Sequence, residues 1–184
     1  MKLVLLAATL CLAACGQPQQ QSVLSPPAHQ MFGPLPRPCV FPDANELAIM
    51  ASESTVVAIG QADSAQVFHY PGISTPFTRH TFHVQSIVLG TASTNTLVIQ
   101  ENGGVPVPIL EPAQYVLFLS QGGSMYIITN GLYGAFPVRA KGVVRECPTY
   151  SATAGREEAS GSGVSLQDFT KTLRSLPPVA VAHK

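Results

Sequence analysis

Tryptophan is absent from the 184 residues, and charged side chains make up only 11% of them. The first absence removes the largest ring on which a sugar could stack, leaving Phe68, Tyr70 and Tyr133 as the aromatic faces for that purpose. The second, with 10 basic against 10 acidic residues, leaves no basic stripe and no run of like charge. Counterion release on a phosphate backbone has no footprint here, which argues against nucleic acid as a partner. Gly-x-Ser-x-Gly is missing, and Ser160-Gly161-Ser162-Gly163 lacks the strand-to-helix setting that exposes an activated serine. Glycine pairs follow apolar runs without opening a helix on a phosphate, so no nucleotide cofactor is expected. Glu157-Glu158 lie beside Arg156 in a polar stretch and read as a solvated face, not an acid–base pair. Beyond the first residues, no apolar run approaches the roughly 20 residues of a membrane-spanning helix.

What is present begins with Lys2 and an apolar run from Leu3 to Ala14, ending in small residues at Leu12-Ala13-Ala14-Cys15. This is the architecture of a signal peptide. Leu12-Ala13-Ala14-Cys15-Gly16 resembles the lipobox of bacterial lipoproteins. The resemblance implies that residues 1–14 are removed, that the Cys15 thiol receives a diacylglycerol, and that the new amino group is acylated, palmitate being an expected chain. Two or three chains anchor a protein stably where one holds it only marginally. The partner so implied is the lipid bilayer, and the localisation is exported and membrane-anchored. Gly16 carries no acidic retention signal, so the outer membrane is the expected destination in a two-membrane source and the cell surface otherwise. The alternative is an ordinary secretory signal with Cys15 a bystander. Without Lys2 the balance is 9 − 10 = −1, with no polybasic patch beside the anchor.

Cys11 leaves with the signal and Cys15 is committed to lipid, which leaves Cys39 and Cys147 as an even pair. An exported chain favours a disulfide between them, closing a loop of about 109 residues worth on the order of 4 to 5 kcal/mol. The alternative is two unrelated thiols. A metal site at this pair is disfavoured, since neither cysteine has a Cys-x-x-Cys partner or a nearby histidine.

Residues 15–38 are rich in glutamine and proline and form a lipidated, solvated tether, and the domain is expected at 39–150. Asp43 reads as the N-cap of a short N-terminal helix, with Glu46 three residues on. Strand texture follows at Thr55–Gly60, Phe77–Leu89, Thr96–Ile99, Tyr115–Leu119 and Met125–Thr129. A last hairpin is expected between Phe136-Pro137-Val138 and Val143-Val144. Turns are expected at Gly90, Asn102-Gly103-Gly104, Gly122-Gly123 and Asn130-Gly131. The fold class is mainly β, a small antiparallel barrel of five to six strands. Tyr115 to Leu119 is apolar on consecutive residues, so both faces of that strand need cover. After a Gly/Ser-rich link at 151–163, a C-terminal helix at 164–176 supplies it. Leu166, Phe169, Leu173 and Leu176 recur at helical spacing behind a cap of Ser165 and Asp168. Residues 177–184 form a tail. Val56-Val57-Ala58-Ile59-Gly60, Phe82-His83-Val84 with Val88-Leu89-Gly90, and Tyr115–Leu119 resemble the strands of OB-fold-like barrels, the netrin-like or protease-inhibitor-type group included. That inhibitor group ligates its target's zinc with a free N-terminal cysteine amine, a mechanism at odds with an acylated terminus remote from the domain.

Three histidines, His69, His80 and His83, fall within 15 residues and are the candidate metal ligands. His80 and His83 are three apart on a strand and point to opposite faces, and no acidic residue neighbours them in sequence, so no metal is expected. The expected placement is a half-exposed strand for His80 and His83 and a surface loop for His69. The reading is a non-enzymatic envelope lipoprotein that binds or scaffolds a protein partner. The alternative is an inhibitor-like or enzymatic domain with a loop-assembled site.

Overall fold

The computed structural model of the chain describes residues 39–74, 76–101, 110–148 and 156–177. The targeting segment 1–14, the lipidation candidate Cys15, the tether to residue 38, the turn at Asn102-Gly103-Gly104 and residues 178–184 lie outside the described residues. In chain order the elements are α1 (Ala44–Ser52), β1 (Val56–Ala62), β2 (Gln66–Phe68), β3 (Phe77–Gly90), β4 (Thr96–Glu101), β5 (Gln114–Gly122) and β6 (Met125–Ile128). A 3₁₀ turn (Gly131–Gly134), β7 (Ala135–Arg139), β8 (Gly142–Val143), β9 (Glu146–Pro148), β10 (Arg156–Glu158) and α2 (Leu166–Arg174) complete the fold.

Five strands close a barrel in the order β1-β3-β4-β6-β5, with β5 returning to pair β1. The protein is mainly β, a closed five-stranded barrel with extra strands and a C-terminal helix. One expectation is corrected. The pairing of β4 with β6, at Ile99 and Tyr126, is parallel, so the barrel is mixed. A ring of five strands cannot alternate direction all the way round, and one neighbouring pair must run parallel. β2, a three-residue strand paired with the start of β3, is too short to show an alternation pattern, and β10, which pairs with β9, lies within the expected link at 151–163.

Side-chain alternation divides the apolar residues into two cores. Val56, Ala58, Phe82, Leu97, Ile99, Tyr115, Leu117, Leu119 and Ile128 fill the barrel interior. Val57, Ile59, Val116 and Phe118 point outward and are covered by Leu47 and Met50 of α1, Phe136 of β7, and Phe169 and Leu173 of α2. Both faces of the central part of β5 are thus buried, as the consecutive apolar run requires. Phe136 bridges the layers, 5.6 Å from Phe118 and 5.3 Å from Phe169 between ring centroids. On the inner side β1 approaches β3 closely at Gly60, where an added Cβ would stand 2.2 Å from the His83 carbonyl oxygen, so only glycine fits.

Both helices are capped as their sequences imply. The Asp43 carboxylate accepts from the Glu46 amide at 2.8 Å, and the Ser165 hydroxyl accepts from the Asp168 amide at 3.0 Å. β7 and β8 form the expected hairpin, Val138 opposite Val143. Cys39 and Cys147 are joined in a disulfide that ties the segment before α1 to β9. No described helix is long and apolar enough to cross a membrane.

Candidate functional site: a barrel mouth and an uncovered sheet face

The histidines separate as their spacing demands, but one lies elsewhere than expected. His69 is exposed after β2 and His83 is exposed on the outer face of β3, whereas His80 is only 1% exposed inside the barrel mouth. The absence of acidic neighbours is also corrected, because pairing supplies them from a distance. Thr78 lies opposite Glu101 and His80 opposite Ile99, so Thr78, His80 and Glu101 share the inner face.

His80 Nδ1 lies 3.1 Å from the Asp63 carbonyl, which can only accept, so Nδ1 carries a proton. Nε2 lies 3.2 Å from Glu101 Oε1, an ionic contact too far off axis for a directed hydrogen bond. Glu101 is fixed in turn: Oε1 accepts from the Leu110 amide at 2.8 Å and Oε2 from the Thr78 hydroxyl at 3.1 Å. Burial pushes the His80 pKa down, but Glu101 and the Asp63 carbonyl outweigh it and hold the value above the ordinary one. This is a structural lock at the mouth. The exposed His83 has Asp63 Oδ2 at 3.1 Å from Nε2, and no serine, threonine or cysteine bonds to it among the described residues. No group of three or more His, Cys, Asp and Glu among the described residues is placed to hold a metal, and His69 does not join His80 or His83.

Signals scattered along the sequence meet on the outer face of β2, β3, β4 and β6. Phe68 lies opposite Phe77, and Tyr70 folds over both, with centroid separations of 5.0 to 5.8 Å. Arg79, two residues along the same face, stacks its guanidinium 4.2 Å from the Phe68 centroid. Its Nη2 donates to the Tyr70 hydroxyl at 3.2 Å, and that hydroxyl donates to Gln100 Oε1 at 3.1 Å. Arg79 Nε is buried without a hydrogen-bond partner. Next along the pairing stand Val98 on β4 and Ile127 on β6, 39% and 43% exposed. Phe68 and Tyr70, candidate sugar-stacking rings, are packed with Phe77 and Arg79 instead of offering free faces, and Tyr133 lies under the Arg145 guanidinium.

A groove of about 750 Å³ runs along α2, lined by Ile59, Leu166, Gln167, Thr170, Lys171 and Arg174. Its two cations lie in the last turn of the helix, where the helix dipole already favours positive charge. They need no ligand to explain them. The Arg79 face has no such account, and it is the stronger candidate. The chain matches no family model and no curated protein, so what can be said of this face rests on its own residues.

Proposed function

We propose that the protein is an exported envelope lipoprotein, anchored in the bilayer through acyl chains on Cys15, whose barrel acts as a binding or scaffolding module and not as an enzyme. The observation that carries the binding reading is the contrast in cover around one barrel. The outer face of β1, β5 and the end of β3 lies under two helices and β7, whereas that of β4, β6 and the start of β3 presents Val98, Ile127 and a rigidly held, partly exposed arginine, with no described residue covering them. An apolar sheet face with a fixed arginine and tyrosine has the composition of a protein-binding hot spot. The lipobox Leu12-Ala13-Ala14-Cys15 supports the anchor, with the outer membrane as destination in a two-membrane source.

The anchor is tested by Cys15→Ala, expected to abolish lipid labelling and release the protein from membranes; partition with membranes after a high-salt wash sinks that half of the proposal. The binding half is tested with a photo-crosslinking residue at Ile127 in the full chain in its native membrane, and the same probe at Gln167 on α2 as control. A discrete adduct is expected at Ile127 alone. Equal labelling at both sites, or none at Ile127, removes the face from consideration.

A further inference from the structure

We infer that Arg79 is the receptor for a carboxylate on a protein partner, an Asp or Glu flanked by apolar side chains that settle on Val98 and Ile127. This rests on reading the uncovered face as a docking surface and adds the chemistry of what docks.

The argument starts from a census of the described cations. Arg139 and Arg156 pair with Glu146, Arg145 with Glu46 and Lys141 with Glu158. Lys171 and Arg174 have no carboxylate but stand in water on a helix end. Arg79 alone is partly buried and lacks a carboxylate among the described residues, in a chain with as many acidic as basic side chains. Desolvating a charge without a counter-ion is costly, so the site is incomplete as it stands. Stacking on Phe68 and the bond to Tyr70 fix the guanidinium in advance. An arriving acceptor need not order a flexible side chain, which is what preorganisation contributes to affinity.

The shape and charge of the face choose the partner. Small-molecule sites are concave, and this one is the outer side of a barrel wall, which suits a macromolecule. A polyphosphate or nucleic acid requires several cations. The other titratable group on the outer row of β3, His83, already has Asp63. One planar fork matches one carboxylate in a bidentate pair. The neighbouring Val98 and Ile127 call for apolar side chains beside it.

The test pans the full chain, purified in detergent, against displayed random 12-residue peptides. Enriched sequences should carry Asp or Glu beside apolar residues. Binding of the best peptide should fall at least about tenfold with Arg79→Gln and be only partly retained with Arg79→Lys, since an ammonium cannot form the fork. Replacing the peptide's acid by its amide should cost the same factor against the native protein and little further against Arg79→Gln, each variant first being shown to keep its melting temperature. No enrichment overturns the inference. So do acid-free peptides that tolerate Arg79→Gln but are lost with Ile127→Arg, which would leave the face a docking surface of other chemistry. Peptides indifferent to both substitutions defeat the docking reading itself. Self-association in sedimentation that Ile127→Arg abolishes would put a second copy of the chain there and also overturn it.

Discussion

One barrel wall is roofed and the other is bare. On the roofed side Val116 and Phe118 of β5 sit under Phe136, Phe169 and Leu173 with no exposure to water. On the bare side Val98 and Ile127 occupy equivalent outward positions and face solvent. The residue types are similar, so apolarity alone does not distinguish a wall that holds the fold together from one held open. What distinguishes them is the arginine. The buried charge beside the roofed wall is paired, Arg145 with Glu46, and its unpaired cations Lys171 and Arg174 stand in water, whereas Arg79 is partly buried, stacked and hydrogen-bonded without being neutralised.

The contrast is sharpest in stability. Deleting residues 164–184 strips the roof and should leave a chain that aggregates, because several side chains worth about 1.5 to 3 kcal/mol each are uncovered in a domain whose whole stability is about 5 to 15 kcal/mol. A truncated protein that stays soluble with an unchanged circular dichroism melt would show that the roof is dispensable. Reducing the Cys39–Cys147 bridge, which spans 108 positions, removes on the order of 4 to 5 kcal/mol by chain entropy and should lower the melting temperature markedly. Both thiols should resist alkylation until then. Phe169→Ala alone should cost about 3 to 5 kcal/mol in denaturant titrations.

The mouth lock lies between the two walls and gives a pH signature. The folded-state pKa of His80 is raised, so its contribution to stability is complete below about pH 6.5 and is lost as pH rises through the folded value. Melts across that range should decline with rising pH. His80→Phe should flatten this dependence and remove the imidazole that faces the buried Glu101, at a cost of about 3 kcal/mol. The groups facing His80 are Glu101 and the Asp63 backbone, with the Asp63 side chain engaged by His83, so His83→Gln separates the exposed pair's share. Smallest of all, Val98→Thr on the bare wall should move stability by no more than about 0.5 kcal/mol. A large loss there would mean that this wall, too, holds the fold.

The roofed wall could be read from local sequence, and the bare one could not. Five consecutive apolar residues at Tyr115–Leu119 and the helical spacing of Leu166, Phe169 and Leu173 announce strand and cover directly. The disulfide followed from an even count of cysteines left after a signal-like start. The aromatic group depends on Phe68 meeting Phe77 across a strand pair only three residues long, below the length at which alternation can be recognised. The lock was within reach: counting by twos from Leu97 through Ile99 puts Glu101 inside the barrel, a buried carboxylate that demands a partner. The pairing that brings it beside His80 is a long-range property, invisible to any local window. The parallel closure follows from strand number once five strands are known to form a ring.

Barrel closure also carries a consequence in time. β1 must be gripped on one edge by β3 and on the other by β5, and 58 positions separate Val56 from Gln114 (114 − 56 = 58). At synthesis rates of about 5 to 20 residues per second, the second partner appears about 3 to 12 s after the first strand begins. Helical turns form in about a microsecond or less, so α1 can form and fray many times before the barrel has both edges of β1. Contacts this distant in sequence make for slow folding, and throughout that interval β1 carries an unpaired apolar edge. Whatever delivers the chain to its folding compartment, β1 stays open on one edge until the fifth strand arrives.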